Sequence, residues 1–216
     1  MAYKAVLFDL EGTLVDFQWK MDEAVGEAIK ALSIFGFDIA VFSGSDYAAL
    51  FNKAMEESQR LGFSVERVRE KIEEIYDRFD MDALSRWTPK NDAAYILENL
   101  INRGILTGLV TNAGQKAVSL LLRRFDLDGL LRPVITRNSV EKLKPEGEGL
   151  HQALGALKAG QGETLFVGDS VTDILASKAA GVDIAIIPGG ESSREEIAAH
   201  CSDFILGSLS EILRIS

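Results

Sequence analysis

Six short apolar runs, at residues 5–8, 105–110, 133–136, 164–167, 183–187 and 203–206, set the limits on what this chain can become. Each is rich in Val, Ile, Leu and Phe, the composition of strands buried on both faces. Helical stretches separate the later runs. Residues 91–103, opened by Asn91-Asp92 and closed by Arg103-Gly104, and residues 171–180, closed at Gly181, carry the start and stop signals of crossover helices. Such alternation predicts an α/β fold built on a doubly wound parallel sheet, a Rossmann-like core. Right-handed crossovers then bring the carboxyl ends of the strands to one edge, where Asp9, Thr111 and Asp169 all fall.

The long interval between the first and second runs holds only helical periodicity. Met21, Ala24, Val25, Ala28, Ile29 and Leu32 follow the i, i+3, i+4, i+7 rule, as do Val65, Val68, Ile72, Ile75, Tyr76 and Phe79. Tyr47, Leu50, Phe51, Ala54, Met55, Ser58 and Leu61 make a third stripe with one polar member. These stripes read as core faces of a small bundle, so residues 17–87 are expected to form an inserted all-helical domain in a core made of 1–16 and 88–216. Pro89 disfavours helix at Thr88 and marks a connector.

The chemistry-bearing residues stand where strands end. Asp9-Leu10-Glu11-Gly12-Thr13 follows the first run directly, and an ionised carboxylate beside a strand core needs a metal, a partner or a cleft to compensate it. The plain alternative is a strand that ends in a turn. Thr111-Asn112 and Gly168-Asp169-Ser170-Val171-Thr172-Asp173 close two further apolar runs, and Lys144-Pro145 lies between them. Asp173, one turn beyond Asp169, also suits a helix N-terminus electrostatically. Lys142 is a rival to Lys144 as the cation of this set.

In this order, Asp-x-acid-Gly-Thr, Thr-Asn, Lys-Pro and Gly-Asp-Ser-x-x-Asp resemble the four motifs of the haloacid dehalogenase superfamily, over nearly the whole chain. The resemblance implies Mg²⁺-dependent hydrolysis of a small phosphate monoester, phosphoglycolate or a sugar phosphate, through an aspartyl-phosphate on Asp9. It makes the helical insert a mobile cap that selects substrate. It assigns Mg²⁺ to the Asp9 carboxylate, the Glu11 backbone carbonyl and Asp169, with Asp173 acting through water or as an outer acceptor. Thr111 and Asn112 then bind phosphoryl oxygens through a hydroxyl and a backbone N–H, and Lys144 offers its charge to that group and to Asp9. Glu11 departs from the aspartate most phosphatases of the superfamily carry. It keeps the carboxyl for general acid and base work but adds a bond of roughly 1.5 Å; a surface residue on an inactive relative is the other reading. The motif LVD at 14–16 is similar to the phosphoglycolate-phosphatase-like group. A phosphosugar mutase of the β-phosphoglucomutase type, or a non-catalytic binding relative, are the alternatives. The loop after Lys144 lacks a second proline common in the family and is expected to be more flexible.

Composition narrows the partners. With 33 acidic against 23 basic residues the net charge is −10, and no dense Lys and Arg run is present to track nucleic acid. No apolar stretch approaches the ~20 residues of a membrane span. A single cysteine, Cys201, and an N-terminus of Met-Ala-Tyr-Lys running into a strand without a signal region point to the cytoplasm. Cys201 is expected to be a small buried residue, His151 and His200 to be structural or solvent-facing, and Gly189-Gly190 to be a turn. The sequence leaves the oligomeric state open.

Overall fold

The computed structural model describes residues 3–215, so the first two residues of the expected signal-free N-terminus lie outside the described residues. The chain divides into two compact units, one made of residues up to Phe17 and from Trp87 onward, the other of Gln18–Arg86.

The first unit is a six-stranded sheet. Strand β1 (Ala5–Phe8) leads out of it into the second unit, which holds α1 (Met21–Phe35), α2 (Tyr47–Leu61) and α3 (Val65–Leu84). After the return come α4 (Ala93–Asn102), β2 (Leu106–Val110), α5 (Gln115–Arg124), β3 (Val134–Ile135), α6 (Glu148–Leu157), β4 (Thr164–Gly168), α7 (Val171–Ala180), β5 (Asp183–Ile186), α8 (Arg194–Ala198), β6 (Phe204–Ile205) and α9 (Ile212–Ile215). The strands run in the order β3-β2-β1-β4-β5-β6, all paired in parallel. All six apolar runs are therefore strands, and both crossover helices stand where their start and stop signals put them.

The topology follows from burial. β1 and β4 are buried along their whole length, so they can lie only in the middle of a sheet covered on both faces. Leu7, Val110, Phe166, Ile174, Ile184 and Ile186 pack with Leu150 and Leu154 of α6 into one apolar cluster. The chain builds outward from β1 in one direction and then crosses to β4 on the other side. That reversal opens a crevice beyond the carboxyl ends of β1 and β4, next to Asp9 and Asp169.

The helical unit has its own core. Val68, Ile72, Ile75, Tyr76 and Phe79 of α3 are buried, as are Leu50, Phe51, Ala54 and Met55 of α2. Trp19 stacks within 4.9 Å of Tyr47 and 5.4 Å of Tyr76, ring centre to ring centre. Ser58, the polar member of its stripe, gives its hydroxyl proton to the Ala54 carbonyl at 2.6 Å, which removes the cost of burying it. Leu61 is exposed in the last turn, beside the left-handed Gly62 that ends the helix.

One expectation is overturned. Cys201 is exposed rather than buried. Helix α8 ends at Ala198, and Cys201 lies in the surface segment that runs from there to the edge strand β6.

Candidate active site

Asp9 is the first residue past β1, and its backbone N–H donates to the Val167 carbonyl of β4 at 2.8 Å. Sheet pairing thus fixes the residue at the crevice. Asp169 follows β4, and Asp173 sits one turn into α7. A carboxylate oxygen from each of the three lies within 4.8 Å of the others, and all three residues are buried. Lys144, also buried, donates from Nζ to Asp9 Oδ1 at 2.6 Å and to Asp173 Oδ1 at 2.7 Å. Three carboxylates facing one ammonium leave negative charge uncompensated.

The titration behaviour follows from that imbalance. Burial pushes Asp9 up to about 7, against the pull of Lys144 and with the repulsion of Asp173. Burial, then repulsion from Asp173 and Asp9, likewise hold Asp169 well above the usual carboxylate range. Burial disfavours the charged form of Lys144, but its two carboxylate partners outweigh that and keep its ammonium above the ordinary lysine value.

The N-terminus of α7 explains how Asp173 is held. Its Oδ2 accepts from the Ser170 hydroxyl at 2.7 Å and from the backbone N–H groups of Asp169 and Ser170, while Ser170 Oγ accepts from the Asp173 N–H. That is a reciprocal cap, so Asp173 is both a helix-capping acid and the second anchor of Lys144. Lys142 is exposed and its backbone N–H donates to Glu148, so Lys144 is the lysine the fold places in the crevice.

Thr111 and Asn112 follow β2 at the same edge. The Thr111 Oγ1 accepts from the Ala113 N–H at 3.1 Å, leaving its proton to donate. The Asn112 side chain is occupied elsewhere: its amide donates to the Lys144 carbonyl at 3.1 Å and its oxygen accepts from the Lys144 N–H at 3.0 Å. The loop expected to be more flexible is tied by these two bonds at Lys144. Buried Arg137 donates to the Asn112 carbonyl at 3.1 Å and steadies the turn from below.

Glu11 is half-buried, and its Oε1 accepts from the indole N–H of Trp87 at 2.5 Å. Gly12 turns the loop with φ +80°, and a Cβ there would lie 2.1 Å from Asp169 Oδ2. Only glycine fits both demands. Gly189-Gly190 is a turn, as read, but it also reaches the site: a Cβ on Gly190 would overlap Asp169, and the Glu191 N–H donates to Asp169 Oδ2. Trp87, Arg137 and Glu191 escaped the sequence reading, and Ser170 stands in it as part of a motif without a role of its own. The Ser170-x-x-Asp173 spacing is a capping signature and was the one signal available for that role.

Comparison with known proteins shows the family and the fold. The profile of the family described as haloacid dehalogenase-like hydrolase matches residues 6–187. A pyrophosphatase PpaX from Anoxybacillus flavithermus is 30% identical over 216 residues, covering 100% of this chain and 97% of that protein. A phosphoglycolate phosphatase from Vibrio parahaemolyticus is 29% identical, covering 98% and 95%. Among solved structures, a haloacid dehalogenase-like hydrolase from Bacteroides fragilis superposes with a TM-score of 0.70 at 24% identity, covering 97% of this chain and 99% of that one.

Proposed function

Since the chain belongs to the haloacid dehalogenase-like hydrolase family and is a phosphatase, we propose that it hydrolyses a small phosphate monoester, with Asp9 as nucleophile and Mg²⁺ as cofactor. The observation that carries this reading is the meeting of Asp9, Lys144 and Asp169 beyond the carboxyl ends of the central strands.

The donor set suits a hard divalent cation: three buried carboxylates share one ammonium, and charge is left over for an ion to neutralise. Asp9, Asp169 and the Glu11 backbone carbonyl would hold Mg²⁺, with Asp173 as the outer acceptor. When bound, Mg²⁺ offsets the repulsion between the nucleophile and a phosphoryl dianion. Everything else is done by side chains. Lys144 engages Asp9 Oδ1, so Oδ2 is the oxygen that attacks phosphorus. The ester P–O bond breaks, its electron pair stays on the leaving oxygen, and Glu11 supplies the proton that oxygen needs. Glu11, now a carboxylate, then takes a proton from water as the water oxygen attacks the aspartyl-phosphate. The bond from phosphorus to Asp9 breaks, returning Asp9 and releasing phosphate. The Thr111 hydroxyl and the Asn112 N–H bind the phosphoryl oxygens, and the Lys144 charge favours the negative charge of the transition state.

Phosphoglycolate and similar small acid or sugar phosphates are the substrates proposed first. Inorganic pyrophosphate is the second reading, favoured by the full-length likeness to a pyrophosphatase. The two separate at Glu11. A phosphate leaving group departs as an anion with little need of a proton, whereas an alkoxide needs one.

A screen of phosphorylated metabolites and pyrophosphate with Mg²⁺ tests the proposal by phosphate release. Turnover should vanish with chelator and return with Mg²⁺, and Asp9→Asn should abolish it, because an amide keeps the shape but forms no acyl phosphate. Substantial turnover by Asp9→Asn refutes the mechanism. Accumulation of a bisphosphate from a sugar monophosphate, in place of free phosphate, would establish the mutase alternative.

A further inference from the structure

We propose that Trp87 is the positioning residue for Glu11, fixing through its indole N–H the carboxyl group that gives and takes the proton. This inference deepens the phosphatase reading and rests on it.

Trp87 is fully buried, and an indole has one polar atom, a donor that needs an acceptor once water is gone. It has one in Glu11 Oε1, 76 residues away in sequence. The surrounding backbone holds the two residues in register. The Asp16 N–H donates to the Thr88 carbonyl at 3.0 Å, the Thr88 N–H to Asp16 Oδ1 at 2.6 Å and the Lys90 N–H to the Leu14 carbonyl at 2.8 Å. The segment that returns to the core is thereby zipped to the loop that carries Glu11. An acid on a free three-torsion side chain spends most of its time misaimed. An indole donor in a fixed place removes that freedom.

The pair also accounts for the departure at position 11. Shortening the arm by one bond would draw the carboxylate back by roughly 1.5 Å. From 2.5 Å the contact would open to about 4 Å, beyond hydrogen-bond range. Glutamate and Trp87 are therefore matched in length. An aspartate here would have no anchor in Trp87.

The test is a leaving-group series in single turnover, from activated aryl phosphates to alkyl phosphates, on the whole protein with Mg²⁺. Trp87→Phe keeps an aromatic ring and removes the donor. It should lower the rate on alkyl phosphates about tenfold, a fraction of the roughly 10²- to 10⁴-fold that a positioned acid supplies. Aryl phosphate rates and KM should change little. Glu11→Asp should cost much less in the Trp87→Phe background than in the parent, since the anchor is already gone. Equal losses on all leaving groups, or additive losses in the double variant, overturn the positioning role while leaving the phosphatase reading intact. A parent inactive on every ester overturns both. Should Trp87→Phe fold poorly, Glu11→Gln reads the contact with Trp87 in place. Of the two indole N–H signals in the NMR spectrum, from Trp19 and Trp87, only that of Trp87 should move as its acceptor changes from a carboxyl to an amide; an unmoved Trp87 signal overturns the inference.

Discussion

Burial and charge work against each other at Asp9. The carboxyl is pushed up to about 7 in the folded protein, against an unfolded value near 3.8, because burial and Asp173 disfavour its charge more than Lys144 supports it. A group whose folded value is raised favours the fold below the unfolded value and loses that contribution as pH rises through the folded one. Metal-free protein should accordingly lose stability from this site between about pH 4 and pH 7. Asp9→Asn removes one of the three charges while its amide oxygen still accepts from Lys144. In chelator at pH 8 we expect this variant to be more stable than the parent by about 2 kcal/mol, which for a chain of this size is roughly 5 °C in Tm. Near pH 4 the two melting curves should converge. Adding Mg²⁺ at pH 8 should raise the parent's Tm more than the variant's, because metal binding needs the ionised carboxylate. Thermal melts at both pH values, with chelator and with Mg²⁺, check all three. A lower Tm for the variant in chelator at pH 8 would show that the Lys144 bond outweighs the burial of charge.

Between elements, the site is held by loops that clamp one another. Asn112, just past β2, uses both ends of its side-chain amide on the backbone of Lys144, in the loop ahead of α6. Asn112→Ala would strand a buried N–H and a buried carbonyl, a loss of about 2–4 kcal/mol by the usual cost of unsatisfied groups. We expect a matching fall in Tm together with a loss of turnover, as the Lys144 ammonium loses its fixed distance to Asp9. A variant with unchanged Tm and turnover would show that Pro145 and the packing around it suffice to hold the loop. The same clamp marks where sequence reading stops. Strands of four or five apolar residues buried on both faces leave a plain trace, and so do helices closed by Gly36, Gly62 and Gly181, each left-handed at its cap. The placement of Asp9, Thr111 and Asp169 at one edge was legible because it needs only strand ends and crossover handedness, whereas Lys144 came only with the family resemblance. Which atom of Asn112 faces which partner was not, because an amide offers donor and acceptor alike and both turn and ligand roles suit it. Trp87 was silent for a different reason. Its aromatic ring reads as core, and the partner that gives its N–H a purpose lies at the far end of the helical insertion. Cys201 misled because cysteine is buried on average, and the exposed edge near β6 is set by chain path rather than by local composition.

At the scale of the molecule, the chain leaves its sheet after Phe17 and returns at Trp87, and the segments on either side of that excursion are hydrogen-bonded to each other. A unit inserted at paired ends can be removed without parting the strands that flank it. We propose that Gln18–Arg86 governs which phosphate esters are accepted, whereas cleavage belongs to the sheet edge. The helical unit carries its own aromatic core around Trp19, Tyr47 and Tyr76, as a body that moves as a whole requires. Replacing Gln18–Arg86 by a short Gly-Ser bridge keeps Glu11, Trp87, Lys144 and the three carboxylates. The expected product is a folded core that still cleaves an activated aryl phosphate with Mg²⁺ but no longer ranks metabolites. Circular dichroism melts establish that the shortened chain folds, and relative kcat/KM values across a panel of phosphorylated metabolites read the selectivity. A folded variant that ranks metabolites as the intact protein does would place specificity in the loops of the sheet edge. A variant that fails to fold would show instead that the helical unit's main service is to the stability of the core.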